Sequence, residues 1–126
     1  MNTSMRVLVV DDSAVMRRIT KTNLRQLGFN HVVEADSGAD ALTKLKSEKI
    51  DFVIVDSDMP QMGGVDLTKV MRADDMMKDT PVLLVMSKSD ASRDKVREAL
   101  QDGVNGYIVP PFTSRALNDK LKEIFG

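Results

Sequence analysis

Short apolar segments alternate with amphipathic segments five times along the chain. The apolar segments span residues 6–10, 31–35, 51–55, 82–86 and 106–109, and their lengths and β-branched content are typical of strands. The segments that follow them carry apolar side chains at helical spacing. Neither a linker nor an internal repeat interrupts the alternation, so the pattern predicts a single α/β domain.

Capping residues and glycines mark the predicted ends of the helices. Four residues precede helical patterns and are suitable N-caps: Ser13, Ser37, Asp90 and Thr113. Gly28 and Gly103 stand where the first and fourth helices should stop. The apolar faces predicted to point inward contain, in chain order, Met16, Ile19, Asn23, Leu24 and Leu27; Ala41, Leu42 and Leu45; Leu67, Val70 and Met71; Val96, Ala99 and Leu100; and Leu117, Leu121, Ile124 and Phe125.

The order of the strands follows from the rules of chain connection. Right-handed crossovers allow few arrangements of five strand–helix units. The commonest small one is the flavodoxin-like fold, a doubly wound five-stranded parallel sheet of order 2-1-3-4-5 with five helices. In this order strands one and three are neighbours, and their carboxyl ends flank the switch point where such sheets bind ligands. We therefore expect the functional residues at this edge of the sheet.

Aspartates follow the first and third strands. Strand one runs into Asp11 and Asp12, and strand three runs into Asp56, so the three carboxylates should share one crevice. Two bare carboxylates about 4 Å apart repel by roughly 4 kcal/mol at an effective dielectric constant near 20, so they must be paired, protonated or bound to a cation. The sequence predicts a site for a hard divalent cation such as Mg²⁺, with the Ser87 hydroxyl close by at the end of strand four.

Composition narrows the classes of partner and compartment. The 126 residues contain 18 lysines and arginines against 19 acids, a net charge of -1, which provides no basic field for a nucleic acid. There is no cysteine, no apolar stretch near 18 residues, and no apolar core of a signal peptide behind the first six residues. We expect a cytoplasmic protein that does not insert into membranes.

A carboxylate in a metal site beside a hydroxyl suggests chemistry at phosphorus. Asp56 is a candidate nucleophile that would form an acyl phosphate while Mg²⁺ neutralises the developing charge. His31 is the only histidine, so a histidine base near the site and a Cys/His metal cluster are both excluded. No G-x-S-x-G sequence surrounds Ser87, which argues against a serine hydrolase.

Several motifs, in this order and spacing, resemble the response-regulator receiver domain. They are the run from Val9 to Ser13, Asp56 followed by Met59-Pro60-Gln61-Met62-Gly63-Gly64, Ser87 after an apolar strand, and Gly106-Tyr107-Ile108 before Pro111-Phe112. The resemblance covers the whole chain and is closest to the stand-alone chemotaxis members, as in Met16-Arg17-Arg18-Ile19, Leu27-Gly28-Phe29 and Met71-Arg72-Ala73-Asp74. It implies that residues 1–126 form a single receiver domain without an effector domain.

The resemblance also implies a role for each matching residue. Asp56 corresponds to the phosphoacceptor, and Asp11 and Asp12 correspond to the acidic pair that positions Mg²⁺, with the backbone carbonyl of Asp58 as a further ligand. Ser87 corresponds to the hydroxyl that bonds the phosphoryl oxygen, and Tyr107 to the aromatic residue that moves inward with it. A protein of this family performs only its own phosphotransfer and autodephosphorylation, so we do not expect an enzyme in the ordinary sense.

Three positions depart from the family pattern. The family places a lysine before the Pro-Phe pair, where this chain has Pro110, which supplies neither a charge nor an N–H donor. The family's bond at this place is usually cis, which here would be Pro110–Pro111. Lys88 follows Ser87 where the family usually has a small residue, so it either replaces the lost cation or is an ordinary solvated lysine. The Asp58 side chain could repel a phosphodonor, orient a water molecule or face solvent.

The resemblance implies the partners and leaves alternatives open. The phosphodonor would be a histidine kinase or a phosphotransfer protein that docks near Met16, Arg17 and the loop after Asp56. The target would bind around Ser87, the helix after Asp90, Tyr107 and the last helix, and a flagellar motor switch protein is the candidate. We expect a monomer. The first alternative is a pseudo-receiver that binds partners without phosphorylation. The second is a small Mg²⁺-dependent phosphatase of the haloacid-dehalogenase type, suggested by the Asp-x-Asp sequence of Asp56 and Asp58.

Overall fold

Five parallel strands form one sheet in this computed structural model, which describes residues 2–126. The strands are β1 (Val7–Val10), β2 (Val32–Ala35), β3 (Phe52–Asp56), β4 (Val82–Val85) and β5 (Gly106–Ile108). Their order is β2-β1-β3-β4-β5. The predicted flavodoxin-like order is therefore confirmed, and each predicted strand agrees with the structure to within one residue at either end.

Five helices cover both faces of the sheet. They are α1 (Ala14–Gln26), α2 (Gly38–Ser47), α3 (Gly64–Arg72), α4 (Arg93–Gln101) and α5 (Ser114–Phe125). The alternation of side chains along β1 divides the core in two: Leu8 and Val10 join the cluster with α2, α3 and α4, whereas Val7 and Val9 join the cluster with α1 and α5. Within residues 2–126, none of the helices is long and apolar enough to cross a membrane.

The register of the sheet places two acids side by side. Val10 of β1 pairs with Val55 of β3, so the next residue of each strand, Asp11 and Asp56, lies at the same level of the carboxyl edge. Three predicted caps hold the helices that surround this edge. The hydroxyls of Ser13, Ser37 and Thr113 accept backbone N–H groups of the first turns of α1, α2 and α5, and Gly28, with a φ of 96°, ends the turn after α1.

Two features of the predicted helices are wrong. Asp90 does not cap α4, because the helix begins later and Ser92 is its N-cap, with the Ser92 hydroxyl accepting the N–H of Lys95. Three apolar side chains predicted to point inward are instead exposed: Ile19 (43%), Val70 (41%) and Leu100 (48%). In α1 the buried residues are Thr20 and Leu24, so Leu24 points inward as predicted, whereas Thr20 takes the inward position predicted for Ile19.

Candidate functional site

Three carboxylates meet at the carboxyl edge of the sheet, as predicted. Asp11, Asp12 and Asp56 each offer an oxygen, and these oxygens all lie within 4.8 Å of one another. Asp11 is buried, Asp56 is half-buried and Asp12 is exposed. The cluster therefore has a sheltered floor and one side open to solvent.

Hydrogen bonds hold Asp11 through its N–H, its carbonyl and its carboxylate. Its N–H donates to the carbonyl of Ala35 (3.1 Å), which extends the pairing of β1 with β2. Its carbonyl accepts a hydrogen bond from Nη1 of Arg17 (2.6 Å), and its carboxylate accepts the N–H of Ser13 (2.9 Å). Asp11 is thus held by three contacts before any ligand arrives.

Backbone packing fixes the loop that follows Asp56. The N–H of Ser57 donates to the carbonyl of Val85 (2.9 Å), and the N–H of Asp58 donates to the Asp56 carboxylate (3.3 Å). The start of α3 lies against the same loop so closely that only glycine fits: a Cβ at Gly64 would lie 2.8 Å from the Asp56 carbonyl oxygen, and one at Gly63 would collide with the Ser57 carbonyl. The position of Asp56 is therefore set by main-chain contacts.

Burial and mutual repulsion perturb the carboxyls. Burial raises the pKa of Asp56 to about 6, and the charges of Asp11, Asp12 and Asp58 add to the rise, while the N–H of Asp58 opposes it. Burial also raises the pKa of Asp11. Among the ion pairs formed by residues 2–126, none involves the three clustered carboxylates. Clustered, partly desolvated oxygen ligands without a paired cation fit a hard divalent ion such as Mg²⁺.

The cluster opens into a cleft of about 250 Å³. Its walls come from the ends of β1, β3 and β4 and from the loop after β5, and they are formed by Asp11, Met16, Asp56, Ser57, Asp58, Val85, Ser87, Asp90 and Pro110. Pro110 thus lines the cleft and brings no charge to it. The Pro110–Pro111 bond is cis. Sequence reasoning missed Asp90 as a lining residue, because it assigned Asp90 to a helix cap.

The Ser87 hydroxyl lies in the cleft wall within the loop between β4 and α4. It accepts the N–H of Asp90 (3.2 Å) and lies 3.1 Å from the hydroxyl of Ser89. The carboxylate of Asp90 in turn pairs with Nζ of Lys95 (3.1 Å). The contact with Asp90 uses only a lone pair of the Ser87 oxygen, so the hydroxyl hydrogen can be shared with Ser89 or donated to another acceptor.

The remaining predicted residues lie around the cleft at different depths. The Asp58 side chain is exposed on its rim. Lys88 is exposed and is not among the residues that line the cleft in the described part of the chain. Tyr107 is half-buried against the α2–α3–α4 side of the core, and Nζ of Lys120 lies 4.9 Å from the centre of its ring.

Several known proteins with similar sequences or structures are chemotaxis proteins. The chain is 50% identical over 125 residues to chemotaxis protein CheY-3 of Vibrio cholerae, an alignment that covers 99% of this chain and 95% of that protein. It is 49% identical over 121 residues to chemotaxis protein CheY of Pseudomonas aeruginosa, with 96% of each covered. The solved structure of Vibrio cholerae CheY4 at low pH superposes with a TM-score of 0.86 at 32% identity, covering 95% of this chain and 98% of that one.

A family model supports the same assignment independently. The model described as the response regulator receiver domain matches residues 7–122, which run from the first residue of β1 into α5. The acidic cluster and the cleft wall up to Pro110 all lie inside the matched range. With a match of this extent and relatives that share about half of its residues, the chain belongs to the response regulator receiver domain family.

Proposed function

We propose that this chain is a chemotaxis response regulator of the cytoplasm that accepts a phosphoryl group on Asp56. The donor would be a phosphohistidine of a histidine kinase or a phosphotransfer protein, and the reaction would require Mg²⁺. The proposal rests on one observation above all, the convergence of Asp11, Asp12 and Asp56 within 4.8 Å at the open edge of the sheet. The similarity to two chemotaxis proteins supports the choice of pathway.

Asp56 has the properties of a nucleophile at phosphorus. With a pKa of about 6 it is mostly ionised at pH 7.5, yet it is more basic than an ordinary aspartate. An oxygen of its carboxylate would attack phosphorus, the bond from phosphorus to the donor's imidazole nitrogen would break, and that nitrogen would take up a proton. Mg²⁺ bound to these carboxylates would neutralise charge on the transferred oxygens. The firm backbone of Asp11 would hold one ligand in place during this step.

The response would begin at the cleft wall. Ser87 would donate its hydroxyl hydrogen to an oxygen of the phosphoryl group, which would draw the loop between β4 and α4 towards Asp56. Tyr107 would follow into the space that this loop vacates, and it would leave the ammonium group of Lys120. The face formed by α4, β5 and α5 would then offer a changed surface to the target, for which a flagellar motor switch protein is the candidate.

Intact mass tests the phosphoacceptor directly. The protein is incubated with acetyl phosphate, with Mg²⁺ and with EDTA, and its mass is measured at intervals. We expect a gain of one phosphoryl group that requires Mg²⁺ and is absent in Asp56→Asn. Asp58→Asn is the matched control, because it removes an exposed carboxylate two residues away on the rim of the same cleft. A gain that persists in Asp56→Asn, or one that does not require Mg²⁺, would contradict the proposal.

One observation favours a second candidate, the pseudo-receiver. Pro110 lines the cleft and cannot provide a cation for a phosphoryl group. If the wild-type protein gains no mass with acetyl phosphate or with a phosphohistidine donor, a binding module that works without phosphorylation becomes the better description. The phosphatase interpretation receives no support from the comparisons, because the matched family is the receiver domain.

A further inference from the structure

Arg17 of α1 links Asp11 of the acidic cluster to Glu34 of the neighbouring strand β2. Its Nη1 donates to the carbonyl of Asp11 (2.6 Å), and its Nε donates to the carboxylate of Glu34 on β2 (3.3 Å). Nζ of Lys21, one turn further along α1, reaches the other oxygen of Glu34 (3.4 Å). The side chain of Arg17 is only 18% exposed, so its charge is screened less than that of a surface residue.

The charges of this group do not cancel. Two cations, Arg17 and Lys21, share the single carboxylate of Glu34, so these three side chains together carry one net positive charge. The excess is adjacent to three clustered carboxylates that have no ion-pair partner among residues 2–126. Burial raises the pKa of Asp11, and the hydrogen bond from the N–H of Ser13 and, to a smaller extent, the charge of Arg17 oppose that rise. The contact with Asp11 therefore has an electrostatic component as well as a hydrogen bond.

We propose that Arg17 is the internal counter-charge of the acidic cluster, acting as a positioning residue through the carbonyl of Asp11. It offsets the repulsion among the carboxylates when no metal is bound. An arginine suits this task because its planar fork can reach two acceptors from different strands at once. The role depends on the acidic cluster and not on whether Asp56 is phosphorylated.

Other cations of the chain are less suited to this role. Lys21 contacts Glu34 but has no hydrogen bond to the loop that carries Asp11. Lys88 is exposed and does not line the cleft. Lys95 pairs with Asp90 at the other side of the cleft. Arg17 alone among these four combines a half-buried side chain with a direct hydrogen bond to a member of the cluster.

A double-mutant cycle in metal-free protein tests the proposal. Unfolding by urea is followed by far-ultraviolet circular dichroism in EDTA at pH 7.5 for Arg17→Gln, Asp11→Asn and the double variant. Asp11→Asn keeps the carbonyl that Arg17 contacts and removes only the charge. The cycle compares the rise in the unfolding equilibrium constant that Arg17→Gln causes in two backgrounds. We expect this rise to be at least about threefold larger when Asp11 is present than in the Asp11→Asn background. Arg17→Lys, which keeps the charge, should restore most of this difference.

Lys21→Gln is the matched control, because it removes a cation bound to the same Glu34 without touching the loop. Its effect should be the same in both backgrounds. Equal effects of Arg17→Gln in the two backgrounds, or an equal coupling for Lys21→Gln, would overturn the proposal. An Arg17→Lys variant that behaves like Arg17→Gln would also overturn the proposal, because the lost hydrogen-bond geometry would then account for the whole loss of stability.

Binding of Mg²⁺ provides a second readout with a definite sign. Removal of a nearby positive charge should favour a divalent cation, so Arg17→Gln should lower the Mg²⁺ dissociation constant by about two- to fivefold in calorimetric titration. Arg17→Lys should stay close to the wild type. A higher dissociation constant in Arg17→Gln would mean that Arg17 acts only by holding the loop in place, which would refute its role as a counter-charge. Failure of the wild type to bind Mg²⁺ would contradict the proposed function and leave the stability cycle as the test of Arg17.

Discussion

The ionised carboxyl of Asp56 should destabilise the metal-free protein at neutral pH. Burial and the neighbouring acids raise its pKa from 3.8 to about 6 in the folded chain, so folding disfavours the charged form. A pKa difference of about 2 units corresponds to about 3 kcal/mol. The carboxyl is partly open to solvent through the cleft, which reduces the expected effect to about 1–2 kcal/mol.

Replacement by asparagine should remove this penalty. The amide oxygen of Asn can still accept the N–H of Asp58, so the loop keeps its hydrogen bond. In EDTA at pH 8, Asp56→Asn should be more stable than the wild type by about 1–2 kcal/mol, a rise in Tm of roughly 4–8 °C for a domain of this size. The penalty is fully present above pH 6, shrinks as the pH falls towards 3.8, and vanishes below that value. The advantage of the variant should therefore be small at pH 4.

Thermal and urea unfolding at pH 8 and pH 4 provide the assay, with Asp58→Asn as the control. That substitution removes an exposed charge and should change stability by no more than about 0.5 kcal/mol. If Asp56→Asn is no more stable than the wild type at pH 8, the cluster is not repulsive. If its advantage is the same at pH 4, the effect does not come from ionisation. Either result would refute the electrostatic reasoning.

Other predictions concern the metal and the scaffold of the site. Mg²⁺ at ten times its dissociation constant should stabilise the wild type by about 1.4 kcal/mol in thermal unfolding; equal stabilisation of Asp12→Asn would argue against the cluster as the site. Gly64→Ala should lower the free energy of unfolding by about 1–3 kcal/mol, because its Cβ would press on the Asp56 carbonyl. It should also slow the mass gain with acetyl phosphate. An unchanged rate would show that the loop tolerates the shift. Arg72→Met should cost about 2–4 kcal/mol, because the guanidinium donates to three backbone carbonyls and the Asn105 side chain, while phosphorylation should proceed as in the wild type.

The sheet and the acidic cluster were predictable because each depends on strong local signals. Apolar runs of four or five residues leave little doubt about a buried strand, and few topologies join five such units. Once β1 and β3 are neighbours, Asp11 and Asp56 must meet. The inward faces of the helices are harder to predict, because exposure of Ile19 or Val70 costs little free energy and the polar Thr20 can be buried beside Ile19.

Two features of the site could not be predicted from the sequence. The segment from Ser87 to Ser92 offers several capping side chains in a row, and only the structure shows that Asp90 faces the cleft while Ser92 caps α4. The contact of Arg17 with Asp11 uses a backbone carbonyl as acceptor, and no residue type in the sequence marks such a partner. A basic residue one turn into a helix usually has a solvated side chain, so the sequence does not indicate that Arg17 contacts the carbonyl of Asp11.

The close approach of Gly63 and Gly64 to the loop after Asp56 divides the cleft into positions that can vary and positions that cannot. A side chain at either glycine would displace the main chain under the reactive carboxylate. The side chains of Asp58 and Lys88, by contrast, are exposed. Substitutions at exposed positions such as Asp58 can therefore change the charge around the cleft, while the main chain that carries Asp56 keeps its place.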